Sequence, residues 1–345
     1  MTNQHEITKR MPLLNREGNL TEPGWARGLL WDYHRPDIRA SGMRIKEWDY
    51  YFVSNGHIGL ALTIADNGYM GLDSVSYLDF DEKWEITKSP MRLLPMGKTA
   101  LPETSAAGSS EIARGGYALA FYHDDDGTRK LTFHMDKFRG KDAIEGMIAL
   151  SDEPAESMVI ATPFEKSGHF YYNQKINCMR ASGWIELGGA RVELDPKTWF
   201  AVLDWGRGVW TYHNTWYWGS ASGELDGVPF GWNIGYGFGD TSAASENVLF
   251  YGGKIHKLSQ VRFEIPMQDG KEDYLAPWRF SSDDGRFEMA FAPILNRAAY
   301  TSVGVIKSDQ NQVFGRFTGT AALDDGTVLQ VNDFFGFAEK VENKW

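Results

Sequence analysis

A segment in the second half of the chain is unusually rich in aromatic side chains. Residues 199–247 hold six of the thirteen tryptophans. Rigid aromatic walls suit a cavity that stays open without a ligand, although the same rings would also suit a tryptophan-rich core or a domain interface. We favour the cavity, because side chains alternate between the two faces of a strand, and one face would then carry Trp210, Tyr212, Asn214, Trp216 and Trp218.

Asp204 is the acid best placed to do chemistry beside this stripe. It lies between Leu203 and Trp205, and an apolar setting disfavours a charged carboxyl, so the group could donate a proton near neutral pH. Arg207 offers the opposite interpretation, because pairing with it would hold Asp204 as a carboxylate in a structural clamp. We predict Asp204, Arg207 and Tyr212 as the catalytic set, with Tyr212 helping to exclude water and to stabilise a cationic intermediate.

Further aromatic and polar residues of the segment are predicted to bind the substrate. Tyr236 lies between two glycines, a spacing typical of a strand pressed closely against another backbone. Glu246 and Asn247 could orient a ligand or simply cap a loop. The predicted binding set is Trp205, Trp210, Trp216, Trp218, Trp232, Asn233, Tyr236, Glu246 and Asn247.

Motifs for metal, phosphate or nucleophile chemistry are missing from the sequence. None of the eight histidines forms an H-E-x-x-H or H-x-H pair, which disfavours a catalytic metal. Neither a G-x-x-x-x-G-K-[ST] phosphate loop nor a G-x-S-x-G elbow is present. The only cysteine, Cys178, excludes an intramolecular disulfide. We therefore expect a site that requires no cofactor.

The charge and hydropathy of the chain exclude two classes of partner. A net charge of −11 opposes nucleic-acid binding, because phosphate recognition relies on lysine and arginine. No window approaches about 18 consecutive apolar residues, so no integral membrane helix is predicted, and the N-terminus shows no apolar stretch of signal-peptide length. We expect a cytoplasmic protein whose partner is a hydrophobic small molecule; its oligomeric state stays open.

Short strands separated by hairpin signals dominate the rest of the chain. Turn sequences such as DNG at 66–68 and DDG at 324–326 supply left-handed positions between alternating segments. A length of 345 residues suits two domains rather than one. We predict an all-β fold of two lipocalin-like antiparallel barrels or curled sandwiches. An N-terminal arm and the first domain would occupy residues 1–180 and the second domain 181–345, with few short helices, the best of them near 89–94.

Four motifs of the chain resemble the bacterial DUF2804 family, and the similarity extends over nearly the whole sequence. They are EPGW at 22–25, KEWDYY at 46–51, LDWGRG at 203–208 and NIGYG at 233–237. More distantly, the layout resembles the group with two lipocalin-like domains that includes carotenoid 1,2-hydratase, tocopherol cyclase and fungal Diels–Alderases. The resemblance implies that Asp204 and Trp205 match an acid and an aromatic wall of the hydratases, although this chain continues with Gly-Arg-Gly.

Three functional hypotheses follow from these residues and this resemblance. The first is an enzyme that acts on an isoprenoid- or lipid-like molecule by acid-catalysed hydration, cyclisation or isomerisation in the aromatic pocket. The second is a non-catalytic carrier of lipid or pigment. The third is a carbohydrate-binding or glycoside-active protein, which Asp204, Asp240 and Glu246 keep open because glycosidases need two carboxylates about 5–10 Å apart.

Overall fold

The chain folds into antiparallel strands joined by short turns. The structure, a computed structural model, describes residues 4–124, 126–303 and 306–344. Helix is limited in these ranges to two 3₁₀ turns, Arg35–Asp37 and Gly42–Arg44. The strands assemble into two large curled sheets, and the predicted all-β class is confirmed.

The part of the chain before residue 210 supplies the first group of strands. One of them, β8, occupies the segment near 89–94 that the sequence suggested as a short helix, because its backbone pairs with β6 instead. In chain order the strands are β1 (Met11–Pro12), β2 (Gly24–Ala26), β3 (Trp31–Asp32), β4 (Ile45–Ser54), β5 (Ile58–Asp66), β6 (Met70–Asp79), β7 (Trp84–Lys88), β8 (Met91–Leu93), β9 (Gly108–Arg114), β10 (Tyr117–His123), β11 (Arg129–Arg139), β12 (Asp142–Ser151), β13 (Met158–Pro163), β14 (Phe170–Leu187), β15 (Ala190–Leu194) and β16 (Phe200–Val209).

Most of these strands form one sheet around the first core. Its main order is β7-β6-β5-β4-β16-β14-β12-β11-β10-β9, with β2, β8, β13 and β15 paired at its margins. β1 and β3 pair separately in the N-terminal arm. Because side chains alternate between the faces of each strand, one face can bury large rings such as Phe138, Tyr172 and Trp205 in a common interior. The other face is left to contact the second sheet.

The remaining strands build the second sheet and its own core. The sheet order is β20-β19-β18-β17-β27-β26-β25-β24-β21, while β22 and β23 form a small hairpin. Trp232, Trp278 and Phe280 are buried in its interior. The strands are β17 (His213–Leu225), β18 (Val228–Tyr236), β19 (Val248–Tyr251), β20 (Lys254–Lys257), β21 (Val261–Glu264), β22 (Met267–Gln268), β23 (Lys271–Glu272), β24 (Trp278–Ser282), β25 (Phe287–Val303), β26 (Ile306–Ala322) and β27 (Val328–Lys344).

The chain passes from the first sheet to the second between Val209 and His213. This crossing comes later than the domain boundary expected between residues 180 and 181. β14 runs unbroken through that boundary, because it pairs with β12 on one side and with β16 on the other. β16 in turn pairs along its whole length with β4. Long-range backbone pairing, and not the local hairpin signal after residue 183, therefore sets the end of the first sheet.

The outer faces of the two sheets meet through aromatic side chains. The Tyr50 and Trp218 rings lie 5.9 Å apart, edge to face, across this junction. Phe52 of the first sheet packs in the same way on Phe337 of the second, at 5.7 Å. Such pairs fix the relative position of two sheets as well as burying area. They border a space that the two outer faces do not fill.

Candidate active site

A cavity of about 290 Å³ lies between the outer faces of the two sheets. The Trp210 ring lies 5.2 Å from the Trp48 ring and 4.8 Å from the Phe238 ring, each edge to face. These contacts make the cavity wall rigid around the buried Trp210 and Phe238, which we call the deep end. The wall thus includes three tryptophans of the predicted stripe, and neither core fills the space that they enclose. The aromatic lining residues are Trp48, Tyr50, Tyr171, Trp210, Trp216, Trp218 and Phe238.

The first sheet presents a row of polar side chains to this cavity. Strand register places Lys175 opposite Asp204, and Asp204 opposite Tyr50. The row continues through Thr63 to Ser74 on the next two strands. Residues that face each other in register project to the same side of a sheet, and all five line the cavity. Backbone pairing alone therefore brings a lysine and an acid together at the wall.

The second sheet presents a matching row from the opposite side. Trp218 pairs in register with Glu339, Glu339 pairs with Gln312, and Gln312 pairs with Arg297. These four side chains also line the cavity. Two rows of functional groups thus face each other across a space walled at one end by aromatic rings.

Asp204 forms a buried ion pair with Lys175. The Lys175 Nζ lies 2.8 Å from Asp204 Oδ1, and the Asn173 side-chain amide donates to the same oxygen at 2.6 Å. Lys175 Nζ also lies 4.0 Å above the Trp218 ring centroid, a cation–π contact. Lys175, not Arg207, is therefore the cation that holds Asp204.

Glu339 is the acid whose surroundings suit proton donation. Its side chain is buried, Trp216 Nε1 donates to Oε1 at 2.8 Å, and Gln312 Nε2 donates to Oε2 at 3.1 Å. Within the ranges that the structure describes, no lysine or arginine nitrogen lies within 4 Å of it. Burial raises the pKa of Glu339 to about 7, because desolvation penalises the charged carboxylate. Near neutral pH a substantial fraction of this group carries a proton.

Glu246 is a third acid at the cavity, held through an amide in the layer behind the wall. The Asn233 side-chain nitrogen donates to Glu246 Oε2 at 3.2 Å and to the Glu246 carbonyl at 2.9 Å. The Asn233 oxygen in turn accepts from Trp218 Nε1 at 2.7 Å. Burial also raises the pKa of Glu246. Asn233 therefore positions an acid and an indole without lining the cavity itself.

Two predicted residues of β16 face away from the cavity. Alternation along the strand places Asp204 on the outer face and both Trp205 and Arg207 on the inner face. Arg207 Nη1 donates to Asp49 Oδ1 at 3.0 Å, and its guanidinium lies 4.2 Å from the Trp205 ring centroid. Both residues belong to the interior of the first sheet.

The other predicted residues are divided between the second core and the surface. Trp232 is buried in the second core, and Tyr236 packs against its edge. Tyr212 lies in the bend before β17 and is 47% exposed. Asn247 is buried and bonds to backbone groups behind the wall. Asp240 is exposed and lies outside the lining, so the two acids of the carbohydrate hypothesis that reach the cavity are Asp204 and Glu246.

Most of the residues that line the cavity lie outside the predicted site, and one kind of sequence signal could have found two of them, Glu339 and Lys175. Glu339 follows Phe335 and Phe337 at alternate positions, so the sequence places an acid on an otherwise apolar strand face. Lys175 likewise continues an alternation that begins at Tyr171. Trp48 and Arg297 lie in strands whose local sequence does not mark them as cavity residues.

Gly206 allows the Trp48 indole to lie flat in the cavity wall. The two residues are opposite in register, and a Cβ at position 206 would lie 1.9 Å from Trp48 Cζ2. We expect Gly206→Ala to displace the indole and to lower the free energy of unfolding by about 1–3 kcal/mol, since overpacking a filled site costs that much. Urea denaturation measures the loss. Gly115→Ala is the matched control, because Gly115 is exposed with no atom near its Cβ position; equal effects would contradict the packing argument.

The described ranges contain neither a candidate metal site nor a helix that could span a membrane. No group of three or more histidine, cysteine, aspartate or glutamate side chains is arranged there to hold a metal ion. Nor does any helix in those ranges have the length and apolar character needed to cross a membrane.

Comparison with known proteins gives one family and several similar folds. A family model described as "Domain of unknown function (DUF2804)" matches residues 4–345. No curated protein matches the sequence significantly. Among solved structures, NE1406 of Nitrosomonas europaea, provisionally named AttH, aligns with a TM-score of 0.53 at 13% identity, over 87% of this chain and 92% of its own. This likeness shows the fold alone.

Two further structures align over almost the entire chain with lower scores. Kievitone hydratase from Nectria haematococca has a TM-score of 0.49 at 8% identity, covering 97% of this chain and 98% of its own. CghA has a TM-score of 0.49 at 10% identity, covering 97% of both chains.

Proposed function

The chain belongs to the DUF2804 family, as its four motifs predicted, and we propose for this member an enzymatic function. The enzyme adds water to, cyclises or isomerises a double bond in a hydrophobic small molecule bound between the two sheets. The observation that carries this proposal is the buried Glu339 carboxyl, which forms no ion pair in the described ranges and faces an aromatic cavity across from the Lys175–Asp204 pair.

The proposed roles follow from the protonation that each environment favours. Glu339 donates the proton, since burial favours its acid form more strongly than the hydrogen bond from Trp216 favours its carboxylate. Asp204 accepts a proton at the end of the reaction, with Lys175 holding its charge and orientation. When two acids lie in environments that give them different proton affinities, one can act as the general acid and the other as the general base.

The aromatic wall supports the intermediate between these two steps. Protonation of one alkene carbon by Glu339 forms a C–H bond and leaves a cation at the other carbon. The Trp216 ring stabilises positive charge through its quadrupole, whereas the Trp218 ring already carries the Lys175 ammonium. Water or an internal hydroxyl then bonds to the cation and loses its proton to Asp204, whereas loss of a neighbouring C–H proton completes an isomerisation. Asp204 then releases its proton to solvent, and proton transfer from solvent returns Glu339 to its acid form.

A mass-balance experiment tests the proposed chemistry. The protein is incubated with a panel of aromatic and polyene alkenes in H₂¹⁸O and, separately, in D₂O. In D₂O all three reactions introduce deuterium at carbon, whereas in H₂¹⁸O only hydration adds labelled oxygen, so mass spectrometry separates hydration from isomerisation and cyclisation. Saturable binding of panel members with no isotope incorporation would refute the enzymatic proposal and support the carrier.

A further inference from the structure

Arg297 stands out because it is the cavity cation without a carboxylate partner. Two basic side chains line the cavity within the described ranges, and Lys175 is paired with Asp204. No carboxylate oxygen in those ranges lies within 4 Å of the Arg297 guanidinium. Glu339, beyond Gln312 on the same row of the wall, interacts with Arg297 electrostatically from more than 4 Å, so no direct ion pair in those ranges occupies the guanidinium.

The fold holds Arg297 in place by a contact between the two sheets. Arg297 lies on β25, and its Nη1 donates to the hydroxyl of the fully buried Ser76 on β6 at 2.8 Å. A guanidinium carries five N–H donors in a rigid fork, and Ser76 accepts from one of them. The fork matches the two oxygens of a carboxylate. Arg297 is thus anchored by a neutral group and retains donors for a ligand.

The lining changes from aromatic to polar toward Arg297. Trp210 and Phe238 wall the deep end and are buried, whereas Ala298 and Ala299, next to Arg297 in sequence, are exposed and mark the mouth. A ligand that fits both ends must itself be apolar at one end and polar at the other. The polar lining residues that are not buried include Glu85, Thr87, Ser89, Ser308 and Gln310, of which Glu85 accepts a hydrogen bond from Thr87.

We propose that Arg297 determines specificity by binding a carboxylate of the substrate, so that the substrate class is aromatic or polyene carboxylic acids. The apolar body of the molecule occupies the deep end beside Glu339, and its carboxylate reaches the guanidinium at the mouth. This inference rests on the proposed function for the identity of the site. It adds that the ligand is an anion and names the residue that recognises its charge.

Binding of two isosteric probes tests the inference without any turnover. Isothermal titration calorimetry compares 2-naphthoate with its neutral amide, 2-naphthamide, on the wild-type protein. We expect naphthoate to bind at least about tenfold more tightly, the preference that a charge-assisted hydrogen bond gives. Arg297→Met should remove that preference while leaving naphthamide affinity unchanged, and Arg297→Lys should restore part of it. Arg279→Met, at an exposed position on β24, is the matched control and should keep the preference.

The outcomes separate this inference from the proposed function. Equal affinities for the two probes, or an undiminished preference in Arg297→Met, would overturn the role of Arg297 while leaving the acid–base proposal intact. Failure of both probes to bind the wild-type protein would overturn the inference and also count against an aromatic binding site.

Discussion

Replacing Lys175 with methionine is expected to lower the free energy of unfolding by about 3–5 kcal/mol, because the Asp204 carboxylate then remains buried without its counter-charge. Asp204 is only 8% exposed, so solvent cannot take over the role of the ammonium. The Asn173 amide still donates to it, but one neutral hydrogen bond does not offset the desolvation of a charge. Urea denaturation at pH 7 measures the loss.

Two further variants distinguish this buried pair from an ordinary ion pair. Lys175→Met combined with Asp204→Leu should recover most of the stability, since an apolar pair of similar volume avoids the desolvation cost. Lys130→Met breaks an exposed pair with Asp124 and should have little effect. A deficit that persists in the double variant would show that Lys175 contributes mainly by packing on Trp218.

Local sequence patterns were sufficient to predict the strands and part of the cavity wall. The DNG turn at 66–68 does connect β5 to β6, because such a turn depends only on the conformations of its own residues. The alternation that places Trp216 and Trp218 on one face likewise depends only on the strand that carries them. Tyr212 shows the limit of the same pattern, because the strand begins after it, at His213.

The arrangement of the polar cavity residues depends on pairing between strands that are far apart in the chain, and a single sequence does not reveal that pairing. Trp216 and Glu339 are 123 residues apart, yet a hydrogen bond joins them because β17 and β27 are neighbours. Lys175 meets Asp204 through the register of β14 with β16. Sequence proximity suggested Arg207 as the partner of Asp204, whereas strand alternation turns these two side chains to opposite faces.

Replacing Glu339 with glutamine is expected to lower turnover by about 10²–10⁴-fold, the contribution typical of a positioned general acid. The side-chain oxygen of the new glutamine can still accept a hydrogen bond from Trp216 Nε1. Its nitrogen can donate to the buried side-chain oxygen of Gln312, which has no donor in the wild-type protein, once the Gln312 amide turns over. The variant should therefore fold. In the wild-type protein the rate should fall as pH rises through about 7, because the acid form of Glu339 is lost there. Steady-state kinetics on a substrate from the isotope experiment measures both effects.

The protonation of Glu339 also predicts an effect on stability that needs no substrate. Its pKa is about 7 in the folded protein against 4.5 for an unperturbed glutamate. Between these pH values the folded protein holds more protons than the unfolded chain, so the free energy of unfolding falls as pH rises, by about 3 kcal/mol in total. Glu339→Gln should remove this component of the slope, whereas Glu288→Gln, an exposed change on β25, should keep it. Identical slopes in the wild-type protein and Glu339→Gln would mean that Glu339 is ionised throughout this range, and the proton donor would have to be sought elsewhere in the cavity.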